Sequence, residues 1–132
     1  MNCKKGFNVL VVDDCEDNLL LMELLLQSDG YRVTSANSGT KGLLEVSKQC
    51  PDLIILDLMM PDISGLEMVW HLKNKYRSSS IPIILLTANS NLNIKDVRGV
   101  DAVCHKPFDV NNFLNKIKSL IDVSKKNLIF QN

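Results

Sequence analysis

Asp52-Leu53-Ile54-Ile55-Leu56-Asp57 is an unbroken apolar run closed at each end by a carboxylate. A strand with one wet face would alternate apolar and polar residues. Continuous apolarity is what a strand covered by helices on both faces requires. Asn8 to Asp13 (NVLVVD) and Pro82 to Thr87 (PIILLT) repeat the pattern, and each ends in a polar residue. Tyr31 to Ala36 and Asp101 to His105 are shorter, weaker candidates of the same kind.

Segments of helical spacing separate these runs. The first helix is predicted over Glu16 to Ser28, with the carboxylates between Asp14 and Asp17 to cap its start and Gly30 to stop it. A second follows Ser38 and carries Leu43, Leu44 and Val46; a third runs from Leu66 to about Tyr76. The last begins after Asp109, a good N-cap, with Phe113, Leu114, Ile117, Leu120 and Ile121 on one side. Strands alternating with helices build parallel βαβ units with right-handed crossovers. The expected product is an α/β fold, a doubly wound five-stranded parallel sheet with helices on both faces. Between Thr87 and Asp101 there is room for only about two turns at ~3.6 residues each. The tail from Val123 to Asn132 shows no clear period, so one domain is expected over 1–122 with a C-terminal tail over 123–132.

Composition narrows the function. The chain has 132 residues, 45% of them hydrophobic, which fits one globular domain and argues against disorder. Fifteen basic residues cancel fifteen acidic ones, leaving no broad positive field for direct nucleic-acid binding. No apolar run approaches the ~18 residues of a membrane helix, and MNCKKGF lacks the apolar stretch of a signal peptide. A cytoplasmic protein is expected, with no membrane partner. Cys3, Cys15, Cys50 and Cys104 are scattered without metal-ligand spacing, and free thiols suit that compartment.

The polar residues that end the apolar runs carry the chemistry. Asp13 and Asp14 end the first strand, Asp57 the third and Thr87 the fourth, and Lys106 follows the fifth. In an open parallel sheet, ligands bind outside the carboxyl ends of the strands. One edge therefore gathers three carboxylates, a hydroxyl and an ammonium. A single aspartate at a strand end is ordinarily a cap or turn residue. Five such groups at successive strand ends, with these charges, argue for a functional cluster. Neighbouring carboxylates repel unless a cation sits among them, and oxygen donors with open positions suit Mg²⁺.

With these residues in place, the sequence resembles the receiver domain of two-component response regulators. The matching stretches are VVDDCEDN (Val11 to Asn18), LIILDLMMPDISGLEM (Leu53 to Met68), IILLTA (Ile83 to Ala88) and HKPF (His105 to Phe108). The resemblance covers roughly residues 8 to 122. It implies a flavodoxin-like sheet in the order 2-1-3-4-5. It also implies that Asp57 is the phosphoacceptor, and that Mg²⁺ is held by Asp14, Asp57 and the backbone carbonyl of Met59, with Asp13 acting mainly through bound water. Thr87 and Lys106 would each meet a phosphoryl oxygen, and Pro107 would follow a cis peptide bond. The implied partners are a sensor histidine kinase or histidine phosphotransfer protein and a downstream protein target, the chain being a monomer or a phosphorylation-dependent dimer.

Two departures from the family bear on output. The position three before Lys106, usually Tyr or Phe, is Val103, which cannot make the usual swing of an aromatic ring. His105 is the nearest ring and shares a face with Val103 by strand alternation; its plain reading is a strand-end histidine. Thr87 and Lys106 are nineteen residues apart, fewer than is usual, so a short or irregular fourth helix is expected. Met59 and Asn89, two residues after Asp57 and Thr87, offer no obvious general base, which favours a long-lived phosphoryl group. In the first helix, Leu20 and Leu24 are expected to face away from Leu21 and Leu25, either partly covered by neighbours or forming a docking patch.

The function expected is therefore a phosphoacceptor signalling switch that changes its protein-binding surface, not a turnover enzyme. The alternative is a pseudo-receiver, an interaction module that signals without phosphorylation. A phosphohydrolase with an aspartyl nucleophile would need a second acid at the position of Met59. A flavin site would need a Gly-rich phosphate loop and aromatic walls that this sequence lacks.

Overall fold

The computed structural model describes residues 6–74, 80–89, 91–107 and 109–130, with side chains as far as residue 123. The expected end of the third helix near Tyr76, Phe108 of the HKPF stretch and the Leu128–Phe130 side chains lie outside the described residues.

Five strands form one parallel sheet: β1 (Asn8–Val12), β2 (Arg32–Ala36), β3 (Leu53–Asp57), β4 (Ile83–Thr87) and β5 (Ala102–His105), in the order β2-β1-β3-β4-β5. The helices are α1 (Glu16–Ser28), α2 (Gly39–Lys48), α3 (Gly65–Asn74) and α4 (Val110–Phe130). Where a fourth helix was expected to be short, there is one 3-10 turn, Ile94–Asp96. Among the described residues, no helix is long and apolar enough to cross a membrane.

Although β1, β3 and β4 read as uniformly apolar, their pleat divides them between two cores. Val9, Val11, Leu53, Ile55, Ile84 and Leu86 meet Leu19, Met22 and Leu26 of α1 and Phe113, Ile117 and Ile121 of α4. Leu10, Val12, Ile54, Leu56, Ile83 and Leu85 meet Val46 of α2 and Met68, Val69 and Leu72 of α3. Each fully buried Leu or Ile contributes roughly 1.5–3 kcal/mol of transfer free energy, so both faces hold the sheet.

Local chemistry sets the helix ends. Ser38 caps α2 by accepting from Lys41 N–H, and Asp109 caps α4 by accepting from Asn112 N–H. At the end of α1, Gly30 has φ 96°, Tyr31 N–H bonds Leu26 O, and Gly30 N–H bonds Gln27 O. That paired pattern closes the helix, and a residue with a Cβ would resist the positive φ. α1 spans the expected Glu16 to Ser28, but its capping differs from expectation: the N-cap is Cys15, with no side-chain cap. The backbone of α4 stays helical through Phe130, past residue 122, and no Gly or Pro interrupts it. Cys15, Cys50 and Cys104 are free thiols.

Candidate functional site

Parallel register places the strand ends side by side. Val12 pairs with Leu56, Asp57 with Leu86, and Thr87 with His105. Asp13, Asp57, Thr87 and Lys106 consequently emerge on one edge, as their places in the sequence predict.

Three of these side chains also organise the turns that follow them. Asp13 Oδ1 accepts from Cys15 N–H at 2.9 Å, Asp57 Oδ1 from Met59 N–H at 3.2 Å, and Thr87 Oγ1 from Asn89 N–H at 2.9 Å. Each is a side chain bonding the backbone two residues on, the local device that Asp and Thr provide at turns. The turn role and the cluster are therefore compatible: the bond that shapes the turn also fixes the side chain.

The remaining oxygens face a common centre. Lys106 Nζ lies 3.3 Å from Asp57 Oδ2 and 3.7 Å from Asp13 Oδ2. Asn18 Nδ2 donates to Asp13 Oδ2 at 3.3 Å. Asp13 and Asp57 are buried and Asp14 is exposed. One carboxylate oxygen from each of Asp13, Asp14 and Asp57 lies within 4.8 Å of the others. This donor set is all oxygen, open to solvent on the Asp14 side, and only partly neutralised by Lys106. It fits a hard divalent cation that keeps some of its waters. The Lys106–Pro107 peptide is cis.

The sequence profile of the response regulator receiver domain matches residues 9–118. The chain belongs to that family. This receiver domain is 33% identical over 117 residues to the polar-differentiation response regulator DivK of Brucella ovis, covering 86% of this chain and 95% of DivK. It is 34% identical to the Bacillus subtilis regulatory protein YkoG, but spans only 52% of that relative's length. Among solved structures, a receiver domain protein from Methanospirillum hungatei superposes with a TM-score of 0.84 at 27% identity, covering 92% of this chain and 98% of that one. The response regulator TrrA of Thermotoga maritima, solved in complex with Mg(2+)-BeF, is 36% identical with a TM-score of 0.77, covering 86% and 98%.

Two features of this receiver domain escape a reading by sequence. Asp62, in the β3–α3 loop, accepts from Gly39 N–H (3.2 Å), Thr40 N–H (2.9 Å) and Thr40 Oγ1–H (2.7 Å) at the start of α2. Slight burial pushes its carboxyl up, but the Thr40 hydroxyl and the N–H groups of Thr40, Ile63 and Gly39 outweigh it and hold it well below the usual range. The one available hint was that the first turn of α2 holds no acidic residue of its own. The second feature is His105, whose Nε2 lies 2.7 Å from Leu92 O, whereas Val103 packs against the core of the α2–α3 face. The same β3–α3 loop needs Gly65. A Cβ there would lie 2.7 Å from Asp57 O and 2.9 Å from Leu58 Cα.

Proposed function

We propose that this receiver domain is a phosphoacceptor switch in which Asp57 takes a phosphoryl group from a phosphohistidine or a small acyl phosphate. The observation that carries the reading is the Asp57 carboxylate itself. One oxygen is tied to Met59 N–H, and the other faces an ammonium beside two further carboxylates. A fixed, partly neutralised carboxylate suits in-line attack, since phosphoryl transfer depends chiefly on positioning and charge compensation.

In that reaction an Asp57 oxygen gives an electron pair to phosphorus. The bond from phosphorus to the donor's nitrogen or acyl oxygen breaks, and its electron pair leaves with the donor. Lys106 offsets the charge of the incoming phosphoryl oxygens, and the Thr87 hydroxyl, already accepting from Asn89 N–H, keeps its own proton free to donate to one of them. As the family resemblance implies, Asp14, Asp57 and the Met59 carbonyl would hold Mg²⁺, with Asp13, whose oxygens accept from Cys15 and Asn18, acting mainly through water. When bound, that ion supplies neutralisation of phosphoryl oxygen charge.

The added group carries roughly −1.5 to −2 charges and would draw Thr87 inward, so the domain signals by changing shape rather than by turnover. A groove of about 370 Å³ bordered by Leu21, Leu25, Pro107 and Val110 opens beside Asp13 and Lys106. Its apolar walls next to the acceptor suit a sensor histidine kinase or histidine phosphotransfer protein, with a downstream protein as the receiver of the signal. We place this activity in the cytoplasm and assign it to residues 1–122.

The test is intact mass after incubation with acetyl phosphate, with and without Mg²⁺, for wild type and Asp57→Asn. A Mg²⁺-dependent gain of one phosphoryl mass in wild type alone is expected. No gain in wild type, or an equal gain in both proteins, would overturn the assignment; the first result would favour the pseudo-receiver.

A further inference from the structure

We propose that His105 is a positioning residue for Thr87, acting through the loop that follows β4; the functional part of this inference rests on the phosphoacceptor reading above. The described residues of that loop carry a chain of hydrogen bonds from one site residue to the next. Thr87 Oγ1 accepts from Asn89 N–H, and Asn89 O accepts from Leu92 N–H at 3.2 Å. Leu92 O meets His105 Nε2 at 2.7 Å, and Lys106 N–H closes the circuit on Thr87 O at 2.8 Å. The same two residues at the end of β5 thus hold both ends of the loop, His105 by its side chain and Lys106 by its backbone.

Strand alternation explains why His105 can do this. Its neighbour Cys104 packs toward the α1–α4 core, while Val103 and His105 point to the opposite face, where Leu92 also packs. A full fourth helix is replaced there by the single turn Ile94–Asp96, which leaves the Leu92 carbonyl to a side-chain donor. The carbonyl requires Nε2 to carry its proton, so the ring is held as a donor. Shifting Thr87 toward a phosphoryl group draws Asn89 N–H with it. The short His105–Leu92 bond resists that motion from the far side of the loop. His105 also borders a groove of about 310 Å³ with Asn93, Ile94, Val103 and Lys116, so the same bond ties the position of Thr87 to the shape of that groove. In the reverse direction, the bond sets how readily Thr87 closes.

The experiment compares the full chain as wild type, His105→Phe and His105→Gln. The Phe variant keeps a ring and loses the donor; Gln retains an N–H donor. In unphosphorylated protein, exchange of the Asn89 and Leu92 amides should rise about fivefold in H105F, the scale of one lost hydrogen bond, and stay near wild type in H105Q. With acetyl phosphate and Mg²⁺, H105F should gain the phosphoryl mass about fivefold faster than wild type, with H105Q close to wild type. Raised exchange at an unchanged phosphorylation rate would make the histidine a merely structural tie and overturn the proposal, as would unchanged exchange. If wild type gains no phosphoryl mass, the phosphoacceptor reading fails separately. The link to Thr87 is then decided by Thr87→Val, which should move the ¹⁵N resonance of His105 Nε2. An unmoved resonance would refute the link.

Discussion

Lys106 Nζ sits between Asp57 and Asp13, 3.3 Å from an oxygen of the first and 3.7 Å from one of the second. Both carboxylates are buried, so their repulsion is poorly screened, and the ammonium paired with both compensates it. Lys106→Met should lower unfolding free energy at neutral pH by about 1–3 kcal/mol, less than for a fully buried pair because the lysine side chain is partly exposed. Mg²⁺ should then raise the thermal midpoint of the variant more than that of wild type, since the ion no longer competes with the ammonium. Equal stabilisation of both proteins by Mg²⁺ in a thermal melt would count against that competition.

Asp62 ties the β3–α3 loop to the start of α2, and its carboxyl is held below its ordinary value of 3.8. A carboxyl depressed by folding stabilises the native state above its unfolded value and loses that contribution as pH falls toward its folded one. Asp62→Ala should cost about 1 kcal/mol at pH 7, the scale of a lost helix cap. Its deficit relative to wild type should shrink as pH falls below about 5, where the carboxyl of the unfolded wild-type chain begins to take up a proton while the folded one stays ionised. Urea midpoints at pH 7 and pH 3 check the sign; a deficit that grows in acid would contradict it.

Much of this arrangement is written locally. Each of β1, β3 and β4 announces itself by uninterrupted apolarity, and Asp13, Asp57 and Thr87 stand where that apolarity stops. The assignment of the site follows from the topology of a parallel sheet, which gathers strand ends on one edge. What was not legible depends on contacts between distant segments. Nothing local in Pro61-Asp62 indicates that its carboxylate reaches Thr40, and nothing in HKPF indicates that the imidazole meets Leu92. α1 starts at Glu16 as its sequence predicts, but the aspartate that bonds Cys15 N–H is Asp13, inside the site, and not one of the acids from Asp14 to Asp17. Val123 to Phe130 shows no clear apolar period, yet the backbone of α4 continues through it.

Gly65 is the close-approach point of the β3–α3 loop. Its N–H bonds Leu58 O, and a methyl group at its α-carbon would press on the Asp57 carbonyl and Leu58 Cα. Backbone has less freedom to give way than a side chain, so Gly65→Ala should cost about 1–3 kcal/mol. The displaced atoms belong to Asp57, the proposed phosphoacceptor, and its neighbour. The rate of acetyl phosphate labelling should therefore fall even at temperatures where the variant is fully folded by circular dichroism. Wild-type labelling in the folded variant would show that Asp57 tolerates the shift.

In α1 the run Leu19 to Leu26 is apolar except for Glu23, so its spacing carries little phase and does not say which leucines are inside. Leu19, Met22 and Leu26 face the sheet, whereas Leu20, Leu21 and Leu24 are each more than half exposed. Leu21 thus joins Leu20 and Leu24 on the outside, against the division expected from four-residue spacing, while Leu25 is half-buried at the edge of the groove. Leu26→Ala should cost about 2–5 kcal/mol because it opens a cavity against Phe113 and Ile117 of the same core. Leu24→Ala should fall within about 0.5 kcal/mol of wild type. Urea unfolding of the two variants side by side separates the faces, and a cost above about 1 kcal/mol for Leu24→Ala would mean that this leucine is covered in solution.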